Sequence, residues 1–177
     1  MDSTALRIGR AKKFNMHDLD TWGVNYRAKK PGYTRFVFDN LDGFQLGTRK
    51  KTDKPQKLKS ICRKVGADAF AGVELQSNLL LTKKRHSLHH LFRTEHDLRL
   101  IAAHNTHEDF NHHQEGGVLL MAFDKMASMV TDTESDPLGL GRWVSMKLTV
   151  TAEVTTRLVV AYMPSNSNNN RLNMVKA

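Results

Sequence analysis

Between Thr34 and Glu74 the hydrophobic period changes twice, and few folds accommodate such a change. TRFVFDN (34–40) alternates aromatic and β-branched residues with polar ones and stops at Asn40, the pattern of a strand. PQKLKSICRKVG (55–66) places Leu58, Ile61, Cys62 and Val65 on one helical face, with Gly66 where a C-terminal glycine cap belongs. ADAFAGVE (67–74) is a short apolar run of the kind a buried strand needs, and it ends in a carboxylate, Glu74. Strand, helix, strand predicts a βαβ-type unit, and with it an α/β (α+β) class. No basic residue adjacent in sequence offers Glu74 a partner, so its position at a strand end needs another reason.

The remaining pattern favours strands. LLLTKKRHSLHHLFR (79–93) predicts a helix anchored by Leu79, Leu80, Leu88, Leu91 and Phe92. LRLIAAHN (98–105), GGVLLMAFDK (116–125), MASMVTDT (126–133), RWVSMKLTV (142–150) and TRLVVAYMP (156–164) then read as strands with short connections, an antiparallel meander. Turn residues in DTESDPLGLG separate two of them. Three regions follow: a basic leader at 1–32, expected to be partly disordered, a folded domain at 33–166, and a polar, Asn-rich tail at 167–177.

Charge narrows the partners. Lys and Arg number 27 against 18 Asp and Glu, a formal net charge of +9. The bases cluster in RIGRAKK (7–13), RAKK (27–30), RKKTDKPQKLK (49–59) and KKRH (83–86). Such an excess suits a polyanion, most simply nucleic acid, although solvated lysine faces produce the same count. No apolar run approaches the ~20 residues of a membrane span, and the first residues lack the apolar region of a secretory signal. A single cysteine, Cys62, excludes an internal disulfide and favours a reducing compartment, nuclear or cytoplasmic. Its apolar helical face makes it a core residue.

Three strands end in polar residues that catalytic sites use: Asn40 after FVFD, Glu74 after AFAGV, and Tyr162 with Pro164 after LVVA. Loops at strand ends are readily shaped around a ligand. A carboxylate beside an amide suits a hard cation such as Mg²⁺, and Asn and Tyr donors suit a phosphate. Taken singly, each residue is as well explained as a surface acid or an interface aromatic. HNTHEDFNHHQ (104–114) holds four of the nine histidines, but it has no HExxH spacing and reads as a solvated loop rather than a zinc site. Neither GG (116–117) nor LGLGRW (138–143) has the spacing of a phosphate or dinucleotide loop; the glycine pair fits a bulge or a close backbone approach.

Taken in order, RFVFDNLDGF, ADAFAGVELQSN, GGVLLMAF, GRWVSMKL and RLVVAYMPSNS resemble the endonuclease/exonuclease/phosphatase superfamily, the DNase-I-like proteins. TWGVN (21–25) and GLGRW (139–143) give the pattern the flavour of the endonuclease region of non-LTR (LINE-like) retroelements. The resemblance covers roughly residues 34–166. It implies a partial DNase-I-like four-layer α/β sandwich, mostly antiparallel, with flanking helices. It also implies phosphodiester hydrolysis of DNA, or of RNA, with Mg²⁺ or Mn²⁺.

By the same resemblance, Asn40 and Glu74 hold the metal, and Tyr162 stabilises the phosphate in the transition state. That family completes its site with a later Asp-x-Asn segment and a closing Ser-Asp-His. Only fifteen residues follow Tyr162, and none supplies them. The resemblance therefore reaches the N-terminal half only. It implies weak or absent activity in this stretch alone, or a non-catalytic, basic nucleic-acid-binding remnant. It also implies a missing C-terminal half, or a partner, covering the exposed sheet.

Overall fold

A computed structural model describes residues 29, 31–44, 54–77, 82–93, 97–106 and 116–163, the side chains of 82–86 excepted. All of the leader but residues 29, 31 and 32, the greater part of the histidine-rich loop and the tail lie outside the described residues. The elements run β1 (Phe36–Asn40), α1 (Lys54–Val65), β2 (Ala69–Val73), α2 (Thr82–Arg93), β3 (Leu98–Ala103) and β4 (Val118–Phe123). They continue with α3 (Asp124–Met129), β5 (Val130–Ser135), β6 (Trp143–Thr149) and β7 (Thr155–Ala161).

Two sheets result. The first has the order β1-β2-β4-β3, with β1 parallel to β2 and the other pairs antiparallel; the second is the antiparallel meander β5-β6-β7. The parallel pair is joined by α1, which is the unit expected from the changes of period. Helix α1 stops as its sequence suggests. Gly66 takes a left-handed φ of 60°, its N–H donates to Arg63 O, and Ala67 N–H donates to Cys62 O. That is the paired bonding of a glycine C-cap.

The first sheet is apolar on both faces, which is why β4 (VLLMAF) is buried at every position. On one side Val37, Phe70, Leu119, Met121 and Phe123 pack under α1 and α2, with Leu58, Ile61, Cys62, Leu88 and Phe92 filling the layer. Ala69, Val73, Val118, Leu120 and Ala122 face the second sheet, against Val144, Met146, Leu148 and Val160. The outcome is α+β, with helix, sheet and sheet layers among the described residues. The outer face of the second sheet is polar. Arg157 reaches Glu134 at 2.5 Å and Asp132 at 3.8 Å, and it covers Ser145 with a 3.0 Å hydrogen bond.

Two details differ from the sequence pattern. MASM is not a strand: residues 124–129 form α3, and β5 begins only at Val130. Asp124 adopts φ 47° and accepts the Asp97 N–H, turning the chain out of β4. Met126 and Ala127 then drop into the layer between the sheets. The face of the first sheet expected to lie open is also largely covered by the second sheet. Only its edge strand protrudes, with Phe36 53% and Phe38 54% exposed.

Candidate active site at the strand ends

β1, β2 and β7 all end at the same end of the sandwich, where β4 begins. The backbone pairings that follow knit these ends together. The parallel register sets Asn40 beside Val73, so Asn40 and Glu74 leave the sheet side by side. The chain beyond β1 continues along the chain beyond β2. Leu41 N–H donates to Val73 O, Gly43 N–H to Glu74 O, and Phe44 N–H to Leu75 O. Beyond β2, Gln76 N–H donates to Gly116 O in the glycine pair that opens β4. Tyr162 reaches the same place from the second sheet. Its N–H donates to Arg142 O at 2.7 Å, and its ring lies so close that a Cβ on Gly116 would stand 3.5 Å away. The structure therefore gathers Asn40, Glu74 and Tyr162 at one end, although more than a hundred residues separate the first from the last.

The side chains show how that end is held. Asn40 Oδ1 accepts the Asp42 N–H at 3.1 Å, and the Asp42 carboxylate accepts from the Gln76 amide at 3.5 Å. The half-buried Glu74 carboxylate has no hydrogen-bond or ion-pair partner among the described residues. The backbone there is strained as well. Of the four non-glycine residues with left-handed φ among the described residues, three are here: Asp42 (40°), Glu74 (55°) and Gln76 (46°). Each such residue costs roughly 1–3 kcal/mol, and such strain concentrates at functional sites. Leu75 explains the geometry in part. It is fully buried between two strained, outward-facing neighbours, so the strand end twists to keep one side chain in and two out.

The donor set is oxygen-only: two carboxylates, Asp42 and Glu74, and two amides, Asn40 and Gln76. Among the described residues, no group of three His, Cys, Asp or Glu side chains is disposed to hold a metal. Two carboxylates supplemented by amides still match Mg²⁺, which takes few protein ligands and retains several waters. The residues present therefore fit such an ion, Asp42 and Glu74 by charge and Asn40 by its amide oxygen.

Sequence reasoning missed Asp42, Gln76 and Asp136. The signal for Asp42 was its place two residues after Asn40, in DNLDG, where the following Gly43 marks a turn. Asp136 is buried, and its carboxylate accepts the N–H groups of Leu138 (3.0 Å), Leu140 (3.1 Å) and Arg142 (3.2 Å). It thereby folds GLGRW into a loop whose Gly139 carbonyl takes the Thr106 N–H at 2.7 Å, and whose Arg142 carbonyl holds Tyr162. This segment positions the tyrosine. Of the histidines, His104 is buried and its imidazole pKa is lowered by desolvation, whereas 107, 112 and 113 lie outside the described residues.

No family model matches the sequence, and no curated protein matches it. Among solved structures, the chain is similar to an endonuclease/exonuclease/phosphatase family protein from Leptotrichia buccalis C-1013-b. The TM-score is 0.53 over 82% of this chain, at 9% sequence identity. The fold is DNase-I-like. The chain spans 62% of the length of that neighbour. At such identity the likeness carries the fold alone. Mixed and antiparallel sheets with flanking helices are what the ordered motifs implied. Among the described residues, no helix is long and apolar enough to cross a membrane.

Proposed function

We propose that this chain is the N-terminal part of a Mg²⁺-dependent phosphodiesterase, an endonuclease of the retroelement type that acts on DNA, or on RNA, in the nucleus or cytoplasm. The observation that carries the reading is the convergence of Asn40, Asp42, Glu74 and Tyr162 on strained backbone at one end of a DNase-I-like sandwich. A half-buried carboxylate with no partner among the described residues, at such a place, suits a cation. Mg²⁺, when bound, supplies charge for a phosphate oxygen and activates water.

The protein's own residues set the geometry. Asp42 and Glu74 give two negative oxygens, Asn40 fixes the Asp42 turn, and Tyr162 offers a hydroxyl to a non-bridging phosphate oxygen. Basic stretches at 7–13, 27–30 and 49–59 hold the phosphate backbone, which positions the strand without reading its sequence. The base for the attacking water lies outside these residues. The neighbour is longer than the 62% this chain spans, so on this reading a C-terminal half, or a partner, completes the site on the open flank and activity by this stretch alone is weak or absent.

A second reading is a non-catalytic nucleic-acid-binding remnant of the same ancestry. It is favoured by the net charge of +9, which binding to a phosphate backbone uses and hydrolysis does not require. Supercoiled-plasmid nicking in Mg²⁺ or Mn²⁺ separates the two. The enzyme reading expects slow nicking that Glu74→Gln lowers roughly 100-fold or more, and Tyr162→Phe by about 10²–10³. DNA binding with no divalent-dependent nicking, and no loss in either variant, selects the remnant.

A further inference from the structure

Lys54 belongs to the basic run 49–59, yet it does not point at solvent. Its Nζ donates to three backbone carbonyls: Leu41 O at 3.1 Å, Asp42 O at 2.6 Å and Gly43 O at 3.1 Å. An ammonium has three donors, and here all three are used. The placement runs against local preference, because Lys54 is the first residue of α1, where the helix dipole disfavours a positive charge and the first turn holds no acid. The segment it meets is the one that carries the candidate site. The N–H groups of Leu41, Gly43 and Phe44 are bound to the end of β2, and that of Asp42 to Asn40. The three carbonyls from 41 to 43 are bound to Lys54. Beneath this lies Asp39, 3% exposed, one of whose carboxylate oxygens has no hydrogen-bond partner.

We propose that Lys54 is a positioning residue for the metal site, a built-in cation whose three bonds hold the 41–43 turn so that Asn40 and Asp42 face Glu74. The role rests on the metal-site reading above. It makes Lys54 unavailable to phosphate, although its charge belongs to the basic run. It also demands a tapering ammonium. The planar fork of arginine cannot address three carbonyls that converge on one point, so Lys54→Arg behaves as a loss.

The test uses the 177-residue chain with Lys54→Met, Lys54→Arg and Lys54→Cys, the last before and after alkylation with 2-bromoethylamine. The thiolate displaces bromide and leaves an ammonium on a side chain of lysine length. Cys62 is buried with its thiol pushed up to about 12, so it is spared. Two quantities are read: amide exchange at Gly43 and Phe44 by NMR, and Mn²⁺ affinity by electron paramagnetic resonance. Each unmodified variant should exchange those two amides at least about 10-fold faster, with Met146 in β6 unchanged, and bind Mn²⁺ about 10–100-fold more weakly. Aminoethylation should restore both.

Unchanged exchange in Lys54→Met overturns the proposal. So does faster exchange with wild-type Mn²⁺ affinity, or a loss that aminoethylation leaves in place. A wild type that binds no Mn²⁺, or a Glu74→Gln variant that binds it normally, overturns the metal-site reading itself. Those controls distinguish the two failures.

Discussion

Asp39 sits beside the site but faces the helices, and burial pushes its carboxyl from 3.8 up to about 7, with the Asn40 N–H and the Lys54 charge pulling the other way. The folded pKa is raised, so between about pH 4 and pH 7 the folded protein keeps a proton that the unfolded chain has released. Stability should therefore fall as pH rises through that window and level off above it. The loss is on the order of 1–3 kcal/mol by pH 8. Asp39→Asn should flatten the dependence, and urea midpoints at pH 5 and pH 8 in metal-free buffer measure it. Buried His104 contributes in the opposite sense in both proteins, so wild-type and Asp39→Asn midpoints that change alike between the two pH values would contradict the assignment. Glu74 invites the opposite experiment. Its φ of 55° suits glycine, so Glu74→Gly should leave stability unchanged or raise it by up to about 1 kcal/mol, while removing Mn²⁺ binding. A thermal melt beside a Mn²⁺ titration checks both halves. A marked drop in melting temperature would mean that Glu74 serves the fold.

Among the elements, β1 and β2 fix the site through a close approach. A Cβ on Gly72 would stand 2.6 Å from Leu41 Cδ1, and Leu41 is wholly buried at the start of the turn that Lys54 holds. Gly72→Ala should therefore cost about 1–3 kcal/mol and weaken Mn²⁺ binding through the displaced turn. Denaturant unfolding with a Mn²⁺ titration tests this, and unaltered Mn²⁺ affinity would uncouple Leu41 from the site. This coupling was invisible in AFAGV, where Gly72 reads as one more small strand residue. What was legible is what periodicity encodes: FVFDN, the α1 face of Leu58, Ile61, Cys62 and Val65, and the cap at Gly66. Asn40, Glu74 and Tyr162 were legible as polar ends of apolar runs. Helix α3 was not, because DKMASM gives too few residues for a 3.6 period to outweigh alternation, and a left-handed Asp124 decides the turn. Nor was Asp136, whose partners are backbone N–H groups and leave no trace in side-chain pattern.

At the scale of the molecule, the two sheets are unequal: four strands face three, and among the described residues β1 and β7 are edge strands, as are β3 and β5. β7 packs over β2 and β4, which leaves Phe36 and Phe38 of β1 standing beyond it. Their face is continuous with Ala69, Ala71 and Val73, so an added strand on β7 would bury them as Ala69 and Val73 are buried. Until it does, two phenylalanines on an open edge favour association between copies. The net charge of +9 opposes that association and would favour the nucleic acid of the proposed function, and salt acts on the two in opposite senses. Screening weakens repulsion between copies, so self-association should strengthen between 50 and 500 mM salt, whereas binding to DNA should weaken steeply as counterion release loses its advantage. Phe36→Thr with Phe38→Thr keeps β propensity and removes the apolar edge. Light scattering should then show a monomer at both salts, with the DNA salt dependence unchanged. If the double variant still associates at high salt, the open flank is elsewhere. If its DNA affinity falls as well, the edge and the phosphate-binding surface are one.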